Sequence, residues 1–273
     1  MVLMGSCFAD NIGGKLQEAH FRCCVNPFGT LYNPMSVGQA LKDIIAGRNY
    51  SATDSEIFNS ESIWHSWMHH SRFSADSAES LVENINGSIR KAHEHLLNSR
   101  LLIITLGSSY VYRLKEDNRI VANCHKMNEK LFDRSRLNVD DIVEEWIPLL
   151  DELHDINPQL KVMFTVSPIR HKRDGLHANQ LSKATLLLAV DRLCELRKDL
   201  CLYFPAYDIM MDELRDYRFY ADDMVHPSPL AVEYIWERFS TAFFDRKTMD
   251  KATEWRKFEA AQRHRSIIGK VKS

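Results

Sequence analysis

Short apolar runs closed by turn residues alternate along this chain with stretches whose apolar positions recur every three or four residues. Val2-Leu3-Met4 ends in Gly5-Ser6, Phe21 to Val25 ends in Asn26-Pro27-Phe28-Gly29, and Leu101 to Leu106 ends in Gly107-Ser108-Ser109. Lys161 to Val166 ends in Ser167-Pro168, and Leu202 to Phe204 ends at Pro205. Runs this short and this apolar fit strands buried on both faces. Between them, residues 80–98 carry Leu81, Ile85, Ile89 and Leu96 at helical spacing. Residues 141–156 carry Ile142, Trp146, Leu149, Leu150 and Leu153, and residues 180–198 carry Leu181, Ala184, Leu188 and Leu193. The alternation predicts an α/β fold in which helices cover both faces of a mostly parallel, five-stranded sheet. With no internal repeat and no low-complexity linker, the chain reads as one domain over residues 1–273.

Two stretches exceed a minimal unit of this kind. Residues 34–79 hold Ile63-Trp64-His65-Ser66-Trp67-Met68-His69-His70, and residues 110–140 hold Asn123-Cys124-His125-Lys126. Both leave from the C-terminal ends of strands, the edge where open α/β sheets bind ligands. They are expected to be helical insertions, with the helix near 63–70 folding over the site and placing His65, His69 and His70 against substrate. From about residue 246 a tail carries nine Lys or Arg against three Asp or Glu, which fits a solvated surface helix through Trp255 and Phe258.

Composition narrows the partners. With 35 basic and 37 acidic side chains the net charge is −2, so there is no electrostatic reason to expect nucleic acid or an anionic membrane. Gly and Pro number 18 of 273, about half the usual share of roughly 12%, which disfavours an all-β fold. Six cysteines without a CxxC pair, in apolar surroundings such as Phe21 to Val25, read as reduced and buried. No apolar run approaches the ~18 residues of a membrane span. The expectation is a soluble, cytoplasmic protein.

Candidate chemistry lies at the two ends of the chain. Ser6 stands in the turn after the first strand, ahead of a helix through Ile12, Leu16 and Ala19, with its amide and that of Cys7 expected to be free for a ligand. Asp223-Met224-Val225-His226 stands after the last strand and before a helix that Ser228 can cap, with Pro229 in its first turn and Leu230, Tyr234, Ile235 and Phe239 as its buried stripe. An Asp three residues before a His can orient the imidazole, which then takes a proton from a serine. Asp222 reads as a solvated neighbour.

At these residues the sequence resembles the GSCFA family, a branch of the SGNH (GDSL-like) hydrolases. Gly5-Ser6-Cys7-Phe8-Ala9 is its signature string, and three further blocks are similar: Asn26-Pro27-Phe28-Gly29, Thr165-Val166-Ser167-Pro168-Ile169-Arg170-His171, and Tyr203 to Ser228. The resemblance implies a flavodoxin-like three-layer sandwich and ester hydrolysis or acyl transfer on a short acyl ester of a carbohydrate or small-molecule alcohol. Ser6 would be the nucleophile and Asp223 and His226 its partners. The backbone amides of Ser6 and Gly29 would hold the oxyanion. The superfamily's Gly-x-Asn-Asp string reads Gly107-Ser108-Ser109-Tyr110 here, so Ser109 or Asn123 would replace the missing Asn as donor.

Other readings stay open. Cys7 beside Ser6 can be a nucleophile or a small buried thiol. His65 and His69 have metal-ligand spacing but no third ligand at a recognisable distance, so neither metal nor cofactor is expected. Arg170 and His171 either pair with Asp174 or bind an acidic or hydroxylated substrate. A binding or scaffold protein that retains the fold without turnover is the alternative to the esterase.

Overall fold

The computed structural model describes residues 1–271, and side chains through Phe258. The chain opens with β1 (Val2–Gly5), α1 (Cys7–Glu18) and the two-residue β2 (Cys24–Val25). Next come α2 (Pro34–Ile45), a hairpin of β3 (Ile57–Ser60) and β4 (Ile63–Ser66), and α3 (Ala78–Leu97). β5 (Leu101–Leu106) leads to a second excursion of β6 (Tyr110–Leu114), β7 (Ile120–Val121) and β8 (Phe132–Arg136). α4 (Val139–Ile156) then returns to β9 (Lys161–Val166). The order closes with α5 (Gly175–Leu196), β10 (Cys201–Tyr203), a short α6 (Ala206–Asp208), α7 (Pro229–Phe243) and α8 (Arg246–Val271).

Five parallel strands form the central sheet in the order β10-β9-β5-β1-β2. Alternate side chains of these strands enter different layers. Val2, Met4, Leu102, Ile104, Val162 and Phe164 pack with residues of α2, α3, α4 and α5. Leu3, Ile103 and Met163 face the other way, onto Phe8, Ile12 and Leu16 of α1 and Ile235 and Phe239 of α7. A sheet buried on both faces must be apolar at every position, which is why its strands read as unbroken runs. The strand order reverses between β1 and β5, and in such sheets the crevice outside the strand ends at that point binds the ligand.

Three expectations need correction. The insertions are built from strands, not helices: Ile63–Ser66 is a strand paired with β3, and β6, β7 and β8 form a separate antiparallel sheet. The hairpin turn at Glu61 and Ser62 has φ of 52° and 66°, positive at both central positions, as a two-residue hairpin of this kind needs. Second, the buried face of α5 is not its leucine stripe. Ser182, Lys183, Leu186 and Val190 are buried, while Leu181 and Leu188 are exposed. Third, Leu230 of α7 is exposed, although Ile235 and Phe239 are buried and Ser228 caps the helix as its sequence suggests. α8 lies against α1; the Trp255 ring sits tilted 4.2 Å from that of His20, just past α1, and Arg256 pairs with Glu233 of α7. Among the described residues no helix is long and apolar enough to cross a membrane.

Candidate active site

β1 delivers Ser6 to the switch point through a glycine. Gly5 has φ of +130°, and a Cβ there would lie 2.1 Å from the Thr105 carbonyl oxygen, so only glycine lets β1 run this close to β5. Ser6 then caps α1, its Oγ accepting from the Phe8 amide at 3.3 Å, and the residue is 1% exposed. Its own amide is not free: it donates to Thr105 O at 3.0 Å. The Cys7 amide lies in the first turn of α1, where amides lack intrahelical acceptors, and makes no backbone hydrogen bond among the described residues.

The Asp223–His226 turn has the expected form. Met224 takes a left-handed φ of 59°, which folds the segment back so that one carboxylate serves three donors. Asp223 Oδ1 accepts from the Val225 amide at 2.8 Å and the His226 amide at 2.9 Å, and Oδ2 meets His226 Nδ1 at 2.6 Å. These donors, the His226 amide first, hold the Asp223 carboxyl well below the usual carboxylate range. An ionised Asp223 accepts a hydrogen bond from Nδ1–H, leaving Nε2 as the acceptor that a serine proton needs. The loop is braced by Arg170 N donating to Val225 O at 3.1 Å and Lys172 Nζ donating to Asp223 O at 2.6 Å.

His226 opens on a cleft of about 380 Å³ whose walls include Cys7, Tyr32, Ser108, Arg170 and His171. Ser6 sits one residue behind Cys7 and forms no hydrogen bond with His226. A second cleft, of about 490 Å³, lies away from the strand ends; its walls hold the ion pairs Lys42–Glu145 and Arg48–Glu56.

The other site candidates distribute unevenly. The Gly29 amide donates to Asn26 O at 2.7 Å, so it is not an open oxyanion donor; Gly29 is a close-approach glycine, since a Cβ would lie 2.1 Å from His70 Cβ. Ser109 is fully buried, with its amide and hydroxyl both on Ser182 Oγ at 2.8 and 3.1 Å, whereas its neighbour Ser108 reaches the cleft. Asn123 points its amide at Ser71 Oγ (3.3 Å) and does not line the cleft. His65, His69 and His70 do not line it either. His65 Nδ1 meets Ser74 Oγ at 2.7 Å, His69 is buried against Phe28 and Ser66, and His70 caps a turn at Arg72. His65 packs against Phe58 and His125, and His69 against Phe28, Tyr50 and Phe73; lying in a strand and the loop after it, His65 and His69 share no helix face on which to hold a metal. Asp174 pairs with Arg134, not with Arg170 or His171.

Two residues were not singled out in sequence. Lys183 is fully buried beneath the strand ends, its Nζ donating to Gly107 O at 2.6 Å and Ser167 O at 2.7 Å; burial pulls its ammonium down to about 7. Arg134, brought in by β8, lies 4.0 Å over the Tyr110 ring at the cleft wall. Its strand is too polar to announce itself by apolar pattern. His171 is held neutral, near 4, by burial first and then by Lys183, Arg134 and His226; its Nε2 is buried with no hydrogen-bond partner.

Fold and cleft together define a class: a three-layer α/β/α protein with a histidine–aspartate pair at the switch point of a parallel sheet. The chain belongs to the GSCFA family, whose profile matches residues 1–239, a span that includes Ser6, Asp223 and His226. No curated protein and no solved structure matches it.

Proposed function

We propose that the protein is a serine-dependent ester hydrolase or acyltransferase of the SGNH type, acting on a short acyl ester of a small-molecule or carbohydrate alcohol. The observation that carries this reading is the Asp223–His226 pair, joined at 2.6 Å and opening on a cleft at the strand end that bears Ser6. Two backbone amides on the same carboxylate fix its position and keep it ionised, as a group that must hold His226 in one tautomer has to be. In the reaction, Ser6 Oγ attacks the acyl carbonyl as its proton passes to His226 Nε2. The oxyanion forms at the N-terminus of α1, where the Cys7 amide and the helix dipole favour negative charge. Collapse breaks the ester C–O bond, and His226 returns the proton to the departing alcohol. Water or a second alcohol, deprotonated by His226, then attacks the acyl carbonyl; the bond to Ser6 Oγ breaks and His226 returns the proton to Ser6. Catalytic contacts commonly tighten only when substrate binds, which accommodates the absence of a Ser6–His226 hydrogen bond here.

The burial of Ser6 and its engagement as a helix cap favour a second reading, a binding protein that keeps the fold without turnover. Hydrolysis of 4-nitrophenyl acetate separates the two. The hydrolase reading expects turnover above background that Ser6→Ala abolishes; an equal rate in Ser6→Ala removes the serine mechanism, and no rate at all supports the binding protein.

A further inference from the structure

The cleft beside His226 is cationic on one side. Arg134, Arg170, Lys172 and Arg173 all contribute to its walls, and no Asp or Glu does among the described residues. Two of these charges are answered from outside the cleft, Arg134 by Asp174 and Arg173 by Glu129. The other two are not. Arg170 lies 4.0 Å over the Tyr220 ring, and Lys172 donates to a backbone carbonyl, that of Asp223; neither meets a carboxylate in an ion pair among the described residues. The carboxylate of Asp223 itself is engaged by His226 and two amides. His171 also lines the cleft, and its Nε2 is buried without a hydrogen-bond partner.

Position decides which half of a substrate meets these charges. Arg170 and Lys172 are tied to the backbone of the Asp223–His226 turn itself. In acyl transfer the histidine delivers its proton to the departing alcohol, so the alcohol half lies on the His226 side and the acyl half toward α1. Resting on the hydrolase reading, we propose that the alcohol half of the ester carries an anionic group, a carboxylate or a phosphate, received by Arg170 and Lys172. Tyr32 and Tyr110, on the cleft walls, suit a flat or apolar spacer between that anion and the ester.

The test is a matched pair of acetate esters, 4-acetoxybenzoate and its uncharged methyl ester. The charged ester has the poorer leaving group, so chemistry alone favours the neutral one. The proposal expects kcat/KM for 4-acetoxybenzoate to exceed that of the methyl ester by about tenfold, as one charge-assisted contact supplies. That ratio falls toward one in Arg170→Gln/Lys172→Gln and in wild-type protein at about 1 M salt, where the screening length shrinks to about 3 Å. Turnover of both esters without preference for the charged one overturns the anion proposal and leaves the hydrolase reading standing. If neither ester turns over, the hydrolase reading fails, and calorimetric binding of 4-hydroxybenzoate against methyl 4-hydroxybenzoate decides the anion proposal. Salt-sensitive preference for the carboxylate upholds it, and equal or absent binding overturns it.

Discussion

Replacing Lys183 with Met exchanges a buried amine that bridges the ends of two strands for an apolar chain of similar length. In the native protein Nζ holds the carbonyls of Gly107 and Ser167 at 2.6 and 2.7 Å, and burial lowers its ammonium from 10.5 to about 7. Between those two values the unfolded chain binds a proton that the native state has released. Wild-type stability therefore rises with pH across this interval, by about 1.4 kcal/mol per pH unit and on the order of 5 kcal/mol in all. Below about pH 7 the full cost of the buried charge is present; above about 10.5 it has vanished. Met carries no such cost but loses the two hydrogen bonds, about 1 kcal/mol each at any pH. Urea unfolding of both proteins from pH 6 to 9.5 reads the difference, since every other titrating group is common to the pair. Lys183→Met is expected to match or exceed wild type near pH 6 and to fall progressively below it toward pH 9.5. Parallel stability curves would refute the reasoning, because they would mean that the lysine keeps its proton in the native state.

Gly5→Ala places a Cβ 2.1 Å from the Thr105 carbonyl and should destabilise by about 3 kcal/mol or more, read as a lowered urea midpoint; a cost under 1 kcal/mol contradicts the close approach. Asp223→Asn removes the charge that fixes the His226 tautomer and should lower kcat on short esters by about 10³–10⁴-fold, with circular dichroism unchanged. Burial and then Asp10 push the Cys7 thiol up, so iodoacetamide should alkylate it more slowly at pH 8 than it alkylates a free thiol; fast alkylation would revive a cysteine nucleophile.

The sheet was legible because burial on both faces leaves a simple mark. Leu101–Leu106 and Lys161–Val166 form strands over the residues of their apolar runs, each ended by Gly or Ser-Pro. α3 and α4 likewise bury their periodic residues, Leu81, Ile85 and Ile89 in one and Ile142, Trp146 and Leu153 in the other. α5 defeats the same reasoning. Its inward face is spent on Ser182 and Lys183, which satisfy polar groups at the strand ends, so Leu188 is left outside. The hairpin at Ile63–Ser66 was illegible because Glu61 and Ser62 are not the Asn-Gly type that announces a left-handed turn. At the site, the local Asp-x-x-His geometry could be read from spacing. Which amides remain open could not: Ser6 loses its amide to Thr105, a residue about a hundred positions away whose carbonyl is placed by strand register.

The central claim is that Ser6, buried and capping a helix, is nonetheless activated by His226. Fluorophosphonate labelling followed by peptide mass mapping addresses it directly, because the reagent phosphonylates a serine whose proton a neighbouring base can remove. Stoichiometric modification of the peptide holding Ser6, lost in both His226→Ala and Ser6→Ala, is the predicted result. No modification of folded wild-type protein, or labelling at Ser6 that persists unchanged in His226→Ala, would contradict it.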